Sequence, residues 1–169
     1  MQRLRALAPL VALAIAVAAC GGGDARSSPT PGVTFEAGTP NVGLPTATLS
    51  FAGHDLRVEV ADTPRSRETG LAYRDALPAD AGMLFDMGQP SRPGFWMKGM
   101  RFPLDFVWID ETKTVAEVTP GVQPQPGTPD SRLPLYSPSE NIRYVLEVNA
   151  GAAARLGLVP GTVVQLTLR

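Results

Sequence analysis

Short segments of apolar or alternating residues, each ended by Gly, Pro or a polar turn, recur along the chain from Thr46 to Arg169. Many are rich in aromatic, Met and β-branched residues, a composition and length typical of strands. The predicted strands span 46–51, 56–60, 83–87, 94–98, 104–109, 114–119, 144–148 and 163–168. A series of short strands favours a mainly β fold with a minor α+β character, namely a small barrel-like or strongly curved sheet.

Two short helices are predicted between these strands. Thr63 is a suitable N-cap, with Pro64 at the first helical position and Gly70 at the end. The second helix is predicted over 150–156, with Asn149 as its cap and Gly157 as its stop. The stretch from 121 to 138 is rich in Pro and lacks a period, so we expect a long surface loop there.

The N-terminus has the pattern of a bacterial lipoprotein signal. Arg3 and Arg5 precede an apolar stretch over 7–19, and small residues lead to Cys20. The apolar stretch is shorter than the roughly 20 residues of a membrane span. We therefore predict a signal peptide over 1–19 and lipid attachment at Cys20.

The segment 20–45 combines the lipidated Cys20 with a Gly-, Pro-, Ser- and Thr-rich stretch that we interpret as a flexible tether. A single β-rich domain follows over 46–169. Cys20 is the single cysteine, so the domain has no disulfide. The predicted location is extracytoplasmic, on the periplasmic face of a membrane or the cell surface, with a lipid anchor as the membrane contact.

Charge and residue inventory exclude several function classes. Without Arg3 and Arg5 the chain has 13 basic and 16 acidic residues, a net charge of −3, which argues against nucleic acid as a partner. The single histidine, His54, stands beside a turn where we expect it to face solvent, so Ser–His, Cys–His and His-rich metal sites are disfavoured. We predict no cofactor.

Three motifs resemble the uncharacterised family numbered 192 among the domains of unknown function. They are Gly82-Met83-Leu84-Phe85, Phe95-Trp96-Met97-Lys98 and Pro103-Leu104-Asp105-Phe106. Further matches are Arg67, Arg74, Tyr136, Val145-Leu146-Glu147 and Gly151, and the resemblance covers 56–168. The chain departs from the family pattern at Ala72, at Gly99-Met100 and at Thr162. The resemblance implies a small, mainly β, often exported domain with no established activity.

Lys98 and Asp105 are polar residues within apolar stretches, and two interpretations stay open. In the first, a buried Lys98 pairs with Asp105 or Glu147, because an unpaired buried charge is very costly. In the second, Trp96 supplies a stacking face and nearby cations bind an anionic or sugar-like ligand. The candidate ligand-binding residues are Arg67, Arg74, Trp96, Lys98, Asp105, Tyr136 and Glu147.

Methionine offers a separate hypothesis, since thioethers are soft ligands for Cu(I). After the signal, the methionines are Met83, Met87, Met97 and Met100. The alternative is that these side chains fill gaps in the core.

These observations predict a membrane-tethered lipoprotein with a ligand-binding or interaction module that binds an unidentified envelope ligand or protein. An alternative is an envelope carbohydrate-active enzyme with Asp105 and Glu147 as paired carboxylates. Carboxylates in strand-rich motifs more often pair with a neighbouring cation, so we favour binding over catalysis.

Overall fold

The computed structural model describes residues 37–168. The predicted signal peptide, Cys20 and most of the predicted tether lie outside these residues. The strands are β1 Thr46–Phe51, β2 His54–Ala61, β3 Ala81–Ser91, β4 Leu104–Ile109, β5 Val115–Val122, β6 Ile142–Asn149 and β7 Gln165–Leu168. The helices of this part of the chain are α1 Pro64–Thr69, α2 Ala152–Leu156 and a 3-10 helix at Asp130–Arg132.

The strands form one sheet in the order β5-β4-β6-β3-β2-β1-β7. Neighbouring strands are antiparallel except β2 and β3, which are parallel and are connected through α1. The edge strands β5 and β7 do not pair along their length, but the segments before them meet at an isolated bridge between Thr114 and Val163. The sheet is therefore curved without being closed, and the prediction of a mainly β fold with two short helices is confirmed.

Each face of the sheet carries its own apolar cluster, because successive side chains of a strand point to opposite faces. The first cluster includes Leu49, Val58 and Leu146 and is covered by Ala153 of α2. The second cluster lies on the opposite face. It contains Leu71, Met83, Phe85, Met97, Met100, Phe106, Trp108 and Val145. The second face is where the candidate site forms.

Helix α1 begins as the sequence predicts. The Thr63 hydroxyl accepts a hydrogen bond from Ser66 N at 3.1 Å, and Thr63 N donates to the Ser66 hydroxyl at 3.0 Å. This reciprocal pair is a capping box, here with Ser at the third position. Gly70 follows the last residue of the helix and directs the chain towards the second cluster.

Two local predictions are wrong. Helix α2 is preceded by Gly151 rather than Asn149, because Asn149 ends β6 and its amide donates to Leu77 O at 2.9 Å. The segment 94–98 is not a strand, and within it Phe95 alone forms an isolated bridge, to Tyr136. Pro93 before the segment and Gly99 after it, at φ 65°, prevent a longer ladder.

The last residues of the predicted tether contact the domain. The Asn41 amide donates to Ser66 O at 2.9 Å and to Gly70 O at 3.0 Å. Val60 N donates to Pro45 O at 2.8 Å, and Leu44 packs against the second cluster. Ordered contacts thus begin before Thr46.

Candidate functional site

An open cleft with a volume of about 330 Å³ lies on the second face of the sheet. Helix α1 and the turn after it (64–72) form one side, and the segment 93–100 forms the other. Strands β3 and β6 contribute Phe85, Met87 and Glu147. A smaller recess of about 160 Å³ adjoins it and shares Glu68, Trp96 and Lys98.

Glu147 is the buried acidic residue of the cleft. It lies on β6, in register with Met83 on β3 and Phe106 on β4, so its side chain is on the second face. Its exposed fraction is 5%. Desolvation by this apolar setting raises the pKa of Glu147 from 4.5 to about 8, so the carboxyl group is mainly protonated at neutral pH.

Aromatic rings make the inner wall of the cleft. Phe85 and Phe95 meet edge to face with their centroids 5.0 Å apart. Phe95 also meets Trp108 edge to face at 5.6 Å. Because these rings pack on one another and on the core, the wall is rigid and apolar.

Lys98 and Trp96 are at the mouth. Lys98 Nζ donates to Asp130 Oδ2 at 2.6 Å and lies 5.5 Å from the centre of the Trp96 ring. The Trp96 side chain is 38% exposed, and Lys98 is half-buried. The predicted ion pair of Lys98 with Asp105 or Glu147 is wrong, because the long loop brings Asp130 to Lys98 instead.

Arg67 is the second cation of the cleft. Its Nη1 donates to Asp62 O at 2.6 Å and to Asp86 O at 2.9 Å. Both acceptors are neutral backbone carbonyls. They fix the position of the guanidinium, and they do not neutralise its positive charge as a carboxylate would.

Asp105 is on the other face of the sheet. Its Oδ1 accepts from Gly121 N at 2.8 Å and its Oδ2 from Ala153 N at 3.0 Å. In register, Phe106 lies beside Glu147, whereas Asp105 lies beside Val148, which points into the first cluster. Asp105 and Glu147 therefore do not face one cleft, and their prediction as paired catalytic carboxylates is wrong.

Two other candidates are outside the lining of the cleft. Arg74 pairs with Glu59, a strand β2 residue, and donates to Asn41 O at 3.0 Å. The Tyr136 ring packs edge to face on Phe106 at 5.8 Å. Neither side chain lines the cleft, and ligand binding by either residue stays a prediction.

Three of the four methionines are buried in the second cluster, as expected for core side chains: Met83, Met97 and Met100. Met100 and the partly buried Met87 also line the cleft. Copper binding by these thioethers stays a prediction.

Sequence reasoning missed Asp130 as the partner of Lys98 and Glu68 as a lining residue of the cleft. Neither had a local signal, since Asp130 comes from a Pro-rich loop and Glu68 from the exposed side of α1. His54 is exposed, as predicted. Between residues 37 and 168, no group of three or more His, Cys, Asp or Glu is arranged to hold a metal ion. Within the same residues, no helix has the length and apolar character needed to cross a membrane.

Comparison with known proteins identifies a family and solved structures that are similar to this chain. Residues 47–166 match the family DUF192, described as "Uncharacterized ACR". A crystal structure of a putative transcription regulator from Sinorhizobium meliloti 1021 is 34% identical, with a TM-score of 0.64 over 76% of this chain and 98% of that chain. A protein of unknown function from Novosphingobium aromaticivorans DSM 12444 is 29% identical, with a TM-score of 0.67 over 76% and 91% of the two chains. No curated protein matches.

Proposed function

Because the chain belongs to the DUF192 family, whose description names no activity, we propose a function from its own residues. It is an extracytoplasmic lipoprotein, attached to the bacterial cell envelope through Cys20, whose domain binds a small ligand in the cleft. The single observation that supports binding is an open cleft that combines a rigid aromatic wall with an exposed ring, two cations and a buried acid. Small-molecule sites commonly have this composition, mostly apolar with a few placed polar groups.

The location is supported by the sequence pattern that ends at Cys20. One acyl chain gives marginal membrane binding, and two or more give a stable anchor, as expected for a lipoprotein. Replacement of Cys20 by Ala is expected to abolish labelled palmitate incorporation and release the protein from membranes. Incorporation that persists in this variant contradicts the proposed anchor.

The Sinorhizobium protein is described as a putative transcription regulator, but the charge of this chain does not favour binding to nucleic acid. The chain has 16 acidic and 15 basic residues, whereas binding to nucleic acid depends on an excess of cations. The expected ligand of the cleft is therefore a small molecule of the cell envelope.

The binding function is tested by incubating the immobilised full-length protein with small molecules extracted from the envelope and identifying the retained compounds by mass spectrometry. Trp96→Ala removes the ring at the mouth and is expected to reduce retention. Val163→Ala is the matched control, because Val163 is 59% exposed and is not a lining residue of the cleft. Equal retention by both variants contradicts the cleft as the binding site.

A further inference from the structure

Glu147 is a buried acid without a protein partner. Within residues 37–168, no hydrogen bond or ion pair reaches its carboxyl group, although the other buried carboxyl, that of Asp105, accepts from two backbone amides. Among the described residues, the fully enclosed side-chain atom that lacks a hydrogen-bond partner is Arg101 Nε, so the Glu147 carboxyl group is not sealed in the core but opens to the cleft. Since Glu147 lines the cleft, a ligand group is the available partner.

The protonation state decides what Glu147 offers such a ligand. With a pKa of about 8, the carboxyl group at neutral pH has an O–H donor and no charge. A carboxylic acid kept neutral by an apolar site is a known kind of hydrogen-bond donor in enzymes. Glu147 therefore donates to an acceptor atom at neutral pH.

The charged groups that face the cleft favour an anion. Helix α1 contributes Arg67 and Glu68, and the segment 93–100 contributes Lys98. The neighbours of Glu147 on β3 and β4 are Met83 and Phe106, which carry no charge. Lys98 is already paired with Asp130, whereas Arg67 bonds to two backbone carbonyls and has no carboxylate partner among residues 37–168. While Glu147 is neutral, the half-buried Arg67 is therefore the charge that an anionic group can pair with, since Glu68 is on the exposed side of α1.

We propose that the cleft binds a small carboxylate with an apolar body, and that the Glu147 carboxyl group donates a hydrogen bond to a carboxylate oxygen of the ligand. This inference rests on the proposed ligand-binding function. Arg67 attracts the negative charge, and the wall of Phe85 and Phe95 packs against the apolar body. An ammonium ligand is repelled by Arg67, and a neutral ligand gains no ionic attraction from it.

Three probes of similar shape and different charge test the proposal: benzoate, benzamide and benzylammonium. Each is titrated into the full-length protein at pH 7 and followed by amide chemical shifts. We expect benzoate to bind about ten-fold more tightly than either of the others, the equivalent of about 1.4 kcal/mol. Preference for benzylammonium or equal affinity for all three overturns the ligand class but keeps the cleft as a binding site. Absence of binding by every probe overturns the proposed function as well.

Glu147 is tested by the pH dependence of benzoate binding. Above pH 8 the Glu147 carboxyl group ionises and loses the proton that it donates. Benzoate is therefore expected to bind about ten-fold more weakly at pH 9 than at pH 7. Glu147→Gln keeps a neutral N–H donor, so it is expected to bind benzoate within a few-fold of wild type and with equal affinity at the two pH values. Glu147→Leu, which has no donor, is expected to lose binding at both. A Gln variant with the wild-type pH dependence overturns the role of Glu147.

Discussion

Asp105 Oδ2 accepts a hydrogen bond of 3.0 Å from the backbone N–H of Ala153, in the first turn of α2. Its other oxygen accepts from Gly121 N at the end of β5. One buried carboxylate thus connects β4 with a helix and with the edge strand. An acceptor at the N-terminal turn also satisfies an amide that has no partner within the helix.

Asp105→Ala leaves both amides without their acceptor. The Ala153 amide is buried, whereas Gly121 is exposed and its amide can bond to water. An unsatisfied buried donor costs about 1–3 kcal/mol, so we expect a loss of this size in the free energy of unfolding, measured with urea. Asp130→Ala is the control, because Asp130 is exposed and its pair with Lys98 is worth at most about 1 kcal/mol. Equal losses in the two variants contradict the structural role of Asp105.

Lys98→Met separates a structural from a binding role for Lys98. Loss of a fully buried ion pair costs about 3–5 kcal/mol. Here the lysine is half-buried and its partner Asp130 is exposed, so we expect the free energy of unfolding to change by less than about 1 kcal/mol. A melting temperature far below wild type means that contacts of Lys98 besides Asp130 stabilise the domain.

The sequence predicts the strands and α1 well, because hydrophobic pattern and capping are local signals. The prediction of a strand over 94–98 is wrong because the side chains of this segment alternate without strand pairing. Phe95 and Met97 point inward and Trp96 points outward, although only Phe95 forms a bridge to another segment. A period of two shows which side chains are buried, and it does not show whether a neighbouring strand exists.

Within the candidate site, residues of one motif lie close together as the sequence suggests, whereas partners distant in sequence were missed. Trp96 and Lys98 are predicted together and lie together at the mouth of the cleft. The partner of Lys98 is 32 positions away, in a loop that has no periodic pattern. Asp105 and Glu147 are both embedded in apolar runs, so the sequence alone does not show that the register places them on opposite faces.

Gly99 and Gly121 have the same backbone conformation but differ in the space available for an added Cβ atom. Both have φ 65°, where an added side chain is strained by about 1–2 kcal/mol. A Cβ at Gly99 lies 2.6 Å from Tyr73 Cε1, whereas one at Gly121 has no atom within 4 Å. The Tyr73 ring also lies close to Gly38, which limits its movement away from Gly99.

Gly99→Ala is therefore expected to destabilise the domain by about 1–3 kcal/mol more than Gly121→Ala, measured by thermal and urea unfolding. The additional variant Gly99→Ala/Tyr73→Leu is expected to recover part of this difference, since the ring is the obstacle. No recovery in the double variant shows that the backbone, rather than the ring, sets the cost.

Glu147→Gln tests the buried acid in the absence of any ligand. The unfolded chain ionises Glu147 above pH 4.5, whereas the folded protein keeps its proton until about pH 8. The folded state binds the additional proton in this window, so wild-type stability falls as the pH rises, by at most about 1.4 kcal/mol for each pH unit. Gln cannot ionise, and the stability of the variant relative to wild type is expected to increase from pH 5 to pH 8 and then level off.

The measurement is urea unfolding of both proteins across this range, with Glu111→Gln as the exposed control. Because the other titrating groups are shared, the difference between variant and wild type isolates Glu147. A Glu147→Gln difference that is constant with pH, like the one expected for the control, means that the carboxyl group is ionised in the folded cleft at neutral pH. In that case Glu147 is an acceptor, and the cleft selects a donor group rather than an anion.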